Sequence, residues 1–264
     1  MNDTQFRRLL DHLGLSWQEY RKVRKGVIRR LTRHMRELGI RDVDNYLARI
    51  KSSQDIRMET RRLLTVSISR FFRDRPLWEI IHGKLLPEIM SRRPERVIVW
   101  SAGCALGQEV YSFKMLWHLL GDAKCPLPPL SVIATDMNQE YLDLAVSGIY
   151  DEHAIKGVPE DCLERFFRYD QGRYKITEAL KQDISWHLHD LMDASPMNGP
   201  FQMIFLRNNL FTYYKEEFHE GPLRRLTETL TPGGYLIIGA REHLPFADLK
   251  LVIIDGYAGI FQKR

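Results

Sequence analysis

Three hydrophobic patterns follow one another along the chain. Between Tyr20 and Leu38 the apolar positions Val23, Val27, Ile28, Leu31, Met35 and Leu38 recur at intervals of three and four, which predicts an amphipathic helix with one packing face. Residues 1 to about 75 read as four or so such helices, with turns at Gly14, Gly39 and Ser52–Ser53. The segment after Pro76 reads as a linking helix. The period then changes. Continuous apolar runs at Val97–Trp100 and Leu130–Asp136 predict buried strands of a parallel sheet. Between Tyr150 and Asp183 the alternation of strand and helix breaks, and Arg168–Ile176 predicts a hairpin turning at Gln171–Gly172. The late runs Tyr235–Gly239, Leu251–Ile254 and Gly259–Phe261 suit closing antiparallel strands.

The first two strands carry the chemistry. Val97–Trp100 runs into a loop holding Gly103 and Gly107, and a helix opens at Gln108 and Glu109, which makes the first strand-loop-helix unit of a nucleotide-binding α/β domain. The second strand ends in Asp136, where a ribose diol could give a carboxylate two hydrogen bonds. A dinucleotide site wants G-x-G-x-x-G with amides converging on pyrophosphate. Here the glycines are four apart and Glu109 follows at once, and a carboxylate repels phosphate. It suits a ligand carrying an ammonium group. S-Adenosylmethionine has a nucleoside, an amino acid amine and a sulfonium, and no phosphate.

Composition limits the alternatives. With 264 residues, 44% of them hydrophobic, the chain can bury one sizeable core and a small extra domain. No apolar stretch approaches the roughly 20 residues that span a bilayer, and the start has no charged-then-apolar signal pattern, so a cytoplasmic protein without membrane insertion is expected. The three cysteines, Cys104, Cys125 and Cys162, show neither paired nor metal-ligand spacing. Cys104 reads as a small loop residue rather than a nucleophile. Charge is uneven: residues 1–60 hold fourteen Lys and Arg against eight acids, and the rest of the chain is close to neutral. The Tyr20–Leu38 helix is therefore cationic on its outer faces, either as a solvated surface or as a docking surface for an acidic partner.

Trp100–Cys104 followed by Gly107–Ser112 (Gly-Gln-Glu-Val-Tyr-Ser) resembles the first cofactor motif of the CheR-type chemotaxis receptor methyltransferases, which esterify receptor glutamates using S-adenosylmethionine. Phe71–Asp74, Ala134–Asp136, Ser147–Tyr150, Phe205–Asn208, Leu230–Leu236 and Glu242 resemble further family segments in the same order, over nearly the whole chain. The resemblance implies an α/β fold: a Rossmann-like class I methyltransferase sheet (76–264), an N-terminal basic all-helical domain (1–75) and a small antiparallel insert (151–183). It implies S-adenosylmethionine as cofactor and S-adenosylhomocysteine as product. Ser67, Ser69, Arg73, Gly103, Glu109, Asp136, Asp190, Leu191, Asn208 and Asn209 would contact the cofactor, with Glu109 on the methionyl amine, Asp136 on the ribose, and Asp190–Leu191 and Asn208–Asn209 framing the adenine. Arg73 and Tyr213 would act in catalysis, and no metal is implied. For Arg73 the alternative is a salt bridge between domains, and for Asn208 the capping of a turn. The implied partner is an acidic helical receptor met by the basic helix.

The chain departs from the family at several positions. Val66–Ser69 stands where the family has Thr-Asn-x-Thr, Ala105, Leu106 and Gln108 change the loop, Asp190 replaces an Asn, and the family's active-site Tyr falls on Thr212 with Tyr213 next to it. Three readings stay open: a protein carboxyl methyltransferase, a methyltransferase of the same fold with another acceptor (protein, small molecule or RNA), and a non-catalytic docking module. Nucleic acid is disfavoured, because Arg207–Leu210 lacks an Asn-Pro-Pro-Tyr type turn and the basic region has no interleaved aromatics for stacking.

Overall fold

The computed structural model describes residues 1–264 apart from 124, 125, 193, 194, 196, 246–248 and 255, so Cys125 lies outside the described residues. The chain divides into two compact units. One comprises Met1–Val66 with Asn208–Gly221, the other Ser67–Arg207 with Pro222–Arg264.

The first unit is built on α1 (Asp3–His12), α2 (Trp17–Tyr20), α3 (Arg24–Glu37), α4 (Val43–Ser52) and α5 (Gln54–Leu64). The predicted single helix from Tyr20 to Leu38 is thus broken. α2 ends at Tyr20, whose ring is buried and whose hydroxyl donates to the Leu64 carbonyl at 3.1 Å, and α3 starts four residues later. The periodic positions Val27, Leu31 and Met35 do face the core, with Phe6, Leu10, Tyr46 and Ile50. Asn2 and Gln5 form a reciprocal cap at the start of α1. Arg30 does not join the cationic surface: it donates to the carbonyls of Leu63 and Thr65, both at 2.9 Å.

The second unit opens with α6 (Arg75–Ile80) and α7 (Leu86–Ser91), joined by a π-helical turn at Ile81–Leu85. Pro87 has no N–H to give the carbonyl of Gly83, which loosens that turn. The strands that follow are β1 (Val97–Ala102), β2 (Leu130–Asp136), β3 (Ile149–Tyr150), β4 (Phe167–Asp170), β5 (Arg173–Ile176), β6 (Ile184–Leu188), β7 (Phe201–Leu206), β8 (Leu230–Ile238), β9 (Leu251–Ile253) and β10 (Ile260–Lys263). Seven of them form one sheet in the order β6-β2-β1-β7-β8-β10-β9. β1 pairs in parallel with both β2 and β7, so the chain winds outward from β1 in one direction and then returns to wind in the other. The reversal at β1 leaves a crevice at the carboxyl ends of the strands, where ligands bind in such sheets.

The hairpin appears as predicted, β4 against β5 with Gln171 and Gly172 at φ 46° and 78° in its turn. The two-residue β3, ahead of the expected insert, joins it as a third strand. One expectation is corrected at the far edge. Tyr235–Ile238 of that run belong to β8, which pairs in parallel with β7, and within this sheet the antiparallel pairings are those of β10, with β8 and with β9. The helix Glu220–Glu228 returns the chain to the strand-starting edge before β8, and that crossover gives a parallel pair.

Candidate active site at the carboxyl end of the sheet

The glycine loop is fixed to the end of β2. Gly103 and Cys104 both donate their N–H to the Thr135 carbonyl at 2.8 Å, and the Ala105 N–H donates to Asp136 Oδ2 at 2.9 Å. Gly107 has φ 82°, and a Cβ there would sit 2.9 Å from the Ala145 Cβ and 3.0 Å from the Trp186 ring. Glycine lets α8 (Gln108–Ala123) start this close to α9 (Gln139–Ser147) and β6. Cys104 is buried in the loop, and burial, with Asp136 and Glu109 adding to it, pushes its thiol well above the ordinary range. That is a packing residue, not a nucleophile.

Asp136 is buried, and its other oxygen, Oδ1, accepts the Asn138 N–H at 2.9 Å. Burial raises its carboxyl pKa to about 6 against the opposing pull of these amides. Each oxygen keeps a lone pair for a further donor, as a vicinal diol requires. The segment that follows β6 is held beside it, since the His189 N–H donates to the Asp136 carbonyl at 2.9 Å. Asp190 and Leu191 come next. Asp190 Oδ1 accepts the Met192 N–H at 2.9 Å, and the Leu191 carbonyl accepts from Arg225 at 3.2 Å.

Glu109 is not a free carboxylate. Its Oε1 accepts the Ser101 hydroxyl at 2.8 Å and its Oε2 the Arg207 guanidinium at 3.1 Å. Arg207, its side chain 3% exposed, also donates to Asp74 at 2.5 Å and to the Arg73 carbonyl at 3.2 Å, and lies 5.9 Å from the Trp78 ring centre. The motif Phe205–Asn208 contains Arg207 but assigns it no role. The signal was there: it is the charged residue immediately after the apolar run of β7, at the edge where ligands bind. Asp74 and Ser101 were missed with it.

Arg73 donates through its guanidinium to the Ile68 carbonyl at 2.9 Å. Its neighbours Phe72 and Asp74 have φ 48° and 64°, a costly backbone for such residues. It is held by the Phe72 N–H on Ser112 Oγ (2.9 Å) and the Trp78 indole on the Arg73 carbonyl (2.8 Å). Ser67 Oγ and Gln108 Oε1 are buried with no hydrogen-bond partner among the described residues, so polar valences remain for a bound molecule in the same segment and helix start. Ser69 is half-buried nearby in sequence.

Gly103, Glu109, Asp136, Arg73, Ser67, Asp190 and Leu191 thus all belong to the second unit. Asn208, Asn209 and Tyr213 belong to the first. Asn208 has φ 54°, and the Asn209 carbonyl accepts the N–H groups of Thr212 and Tyr213. Tyr213 lies against Tyr20 with ring centres 5.3 Å apart, and its carbonyl accepts the Ser16 N–H at 2.8 Å. No group of three or more His, Cys, Asp or Glu among the described residues could hold a metal.

A twisted parallel sheet with its reversal at β1, a glycine loop without the phosphate pattern and an acidic residue closing β2 define a nucleoside-binding α/β protein of the methyltransferase class. The profile of the CheR methyltransferase S-adenosylmethionine-binding domain matches residues 67–257. A chemotaxis protein methyltransferase of Vibrio parahaemolyticus is 32% identical over 80% of this chain and 77% of its own. One of Pseudomonas aeruginosa is 31% identical over 81% and 80%, and that of Escherichia coli 29% identical over 96% and 89%. The chain belongs to the CheR methyltransferase family, and it is an S-adenosylmethionine-dependent methyltransferase.

Proposed function

We propose that this methyltransferase esterifies glutamate side chains of an acidic, helical, chemoreceptor-like protein, docked through α3. The observation that supports the acceptor class is the Arg73 guanidinium, which donates to a backbone carbonyl rather than to an acid. A carboxylate approaching there meets a guanidinium whose charge is not spent on an acid, whereas Arg207 is buried between Glu109 and Asp74.

When bound, the cofactor supplies a sulfonium methyl: a carboxylate lone pair forms the new C–O bond, the S–CH3 pair stays on sulfur, and no proton moves. A glutamate carboxylate is ionised at neutral pH, so a general base has no task here. The protein's work is alignment and the exclusion of water. Asp136 accepts the ribose hydroxyls, Glu109 uses its remaining lone pairs for the methionyl ammonium, and Arg207 fixes Glu109 in that posture. Ser67 and Ser69 offer hydroxyls from the Arg73 segment, Gly103 leaves room over the loop, and Asp190–Leu191 line the base.

Docking has its own support. Lys22, Lys25, Arg29, Arg33 and Arg36 are exposed at helical spacing, while Arg24 is partly offset by Asp3 at 3.1 Å. Incubation with methyl-labelled cofactor and a purified, glutamate-rich receptor cytoplasmic hairpin tests the reading. Label should enter the hairpin and leave it as methanol in mild base. Label that is stable to base would mean N-methylation and a different acceptor.

A further inference from the structure

The turn leading into β10 brings a tyrosine to the same edge of the sheet. Leu206 at the end of β7 pairs with Ile238 at the end of β8, and Ile237 pairs with Ile260 at the start of β10. The Ile238 N–H donates to the Gly259 carbonyl at 2.8 Å, and the Ile260 N–H to the Tyr257 carbonyl at 3.2 Å. Arg207 continues β7 and Tyr257 precedes β10, so both project from the carboxyl edge, one strand apart. The Tyr257 ring folds back over its own turn: a Cβ on Gly259 would come 3.0 Å from Tyr257 Cε1.

The Tyr257 hydroxyl is buried and has no hydrogen-bond partner among the described residues, and Arg207 Nε is in the same condition. Burial raises the phenol pKa, Asp74 raises it further, and Arg207 and Arg73 lower it, so the charges felt by this hydroxyl are those of the site edge. A buried hydroxyl without a partner is costly, and phenylalanine would fill the same space without that cost. The oxygen is explained if its partner arrives with the reactants.

Resting on the carboxylate-acceptor reading above, we propose that Tyr257 donates a hydrogen bond to the non-reacting oxygen of the acceptor carboxylate, leaving the other oxygen to face the methyl group. The hydroxyl is buried in the free protein, so the side chain turns toward the acceptor as it enters. Tyr257 is then a residue of the acceptor side alone, with no part in holding the cofactor.

Tyr257→Phe keeps the ring and removes only the oxygen. With the receptor hairpin as acceptor, its kcat should fall roughly tenfold, the worth of one hydrogen bond made at the reacting centre. Its affinity for S-adenosylhomocysteine in calorimetry should stay within about twofold, and its Tm should be equal to or above that of the wild type, since an unpaired group has been deleted. Wild-type kcat and KM in the variant would overturn the assignment. So would a lower Tm accompanied by weaker cofactor binding, which marks a structural hydroxyl. If the wild-type protein places no base-labile label on the hairpin, the carboxylate reading falls and the role of Tyr257 falls with it. That result is distinct from an active wild type with an indifferent Phe variant.

Discussion

Asp136 combines two demands that conflict. Its place beneath the glycine loop buries it and raises its pKa to about 6 from an ordinary 3.8, while diol recognition needs the ionised form. Because the folded-state pKa is the higher one, this group favours the folded apoprotein most at low pH, and that contribution is lost as pH rises from about 4 through 6. Cofactor binding has the opposite sign. S-Adenosylhomocysteine affinity should be flat above about pH 7 and weaken toward tenfold per unit below 6, with proton release on binding in calorimetry near pH 6. Asp136→Asn should remove the pH dependence, and Asp136→Ala should cost roughly 1.5 to 3 kcal/mol of affinity. A pH-independent wild type would take Asp136 out of the cofactor site. Arg73 gives a contrasting case, because its guanidinium donates to the Ile68 carbonyl, not to a buried acid. Arg73→Ala should therefore lower kcat on the hairpin more than it lowers cofactor affinity, with Lys restoring only part, since an ammonium cannot reproduce a two-point fork. Parallel losses in both quantities would show that it serves the cofactor.

Among the elements, the glycine loop is the piece whose geometry is least replaceable. Gly107→Ala must accept φ 82° and place a methyl against Ala145 and Trp186, so it should destabilise by about 2 kcal/mol and lower Tm by roughly 5 °C, read in a thermal melt. An unchanged Tm would mean that α9 can retreat. This loop, β1, β2, the hairpin and the apolar face of α3 were legible because each is a local period or a local turn. β3 was not, being two residues long, too short to carry any period. The direction of β8 was not, because pairing depends on a crossover helix rather than on the strand's own residues. At the proposed site, the places of Asp136 at the end of β2 and of Glu109 at the start of α8 were legible from the strand and loop before them. The fork of Arg207 was not, since its partners Glu109 and Asp74 lie 98 and 133 residues away in sequence. Tyr213 stood next to the expected tyrosine position, yet adjacency in sequence did not reveal that its ring packs on Tyr20.

At the scale of the whole molecule, charge and chemistry are segregated along the sequence. The excess of cations lies in residues 1–60, and the acids of the proposed cofactor site, Glu109 and Asp136, lie in the second unit. Within α3 the structure separates cations that are occupied from those that are not buried: Arg30 is spent on backbone carbonyls and Arg24 faces Asp3, whereas Arg29, Arg33 and Arg36 are exposed. An exposed cationic stripe contributes little to folding, since surface pairs are worth about 0–1 kcal/mol. Its proposed task is encounter with an acidic partner, where complementary potentials raise association rates at low salt. Arg29→Glu with Arg33→Glu should therefore weaken binding to the receptor hairpin by roughly tenfold or more and leave S-adenosylhomocysteine affinity unchanged, because no residue of the proposed cofactor contacts is touched. Wild-type association should itself weaken as salt rises above about 0.15 M, where the Debye length is about 8 Å. Surface interferometry at several salt concentrations reads both effects. A double variant that binds and methylates the hairpin as the wild type does would reduce the stripe to a solvated face, and the proposed preference for acidic acceptors would then rest on Arg73 alone.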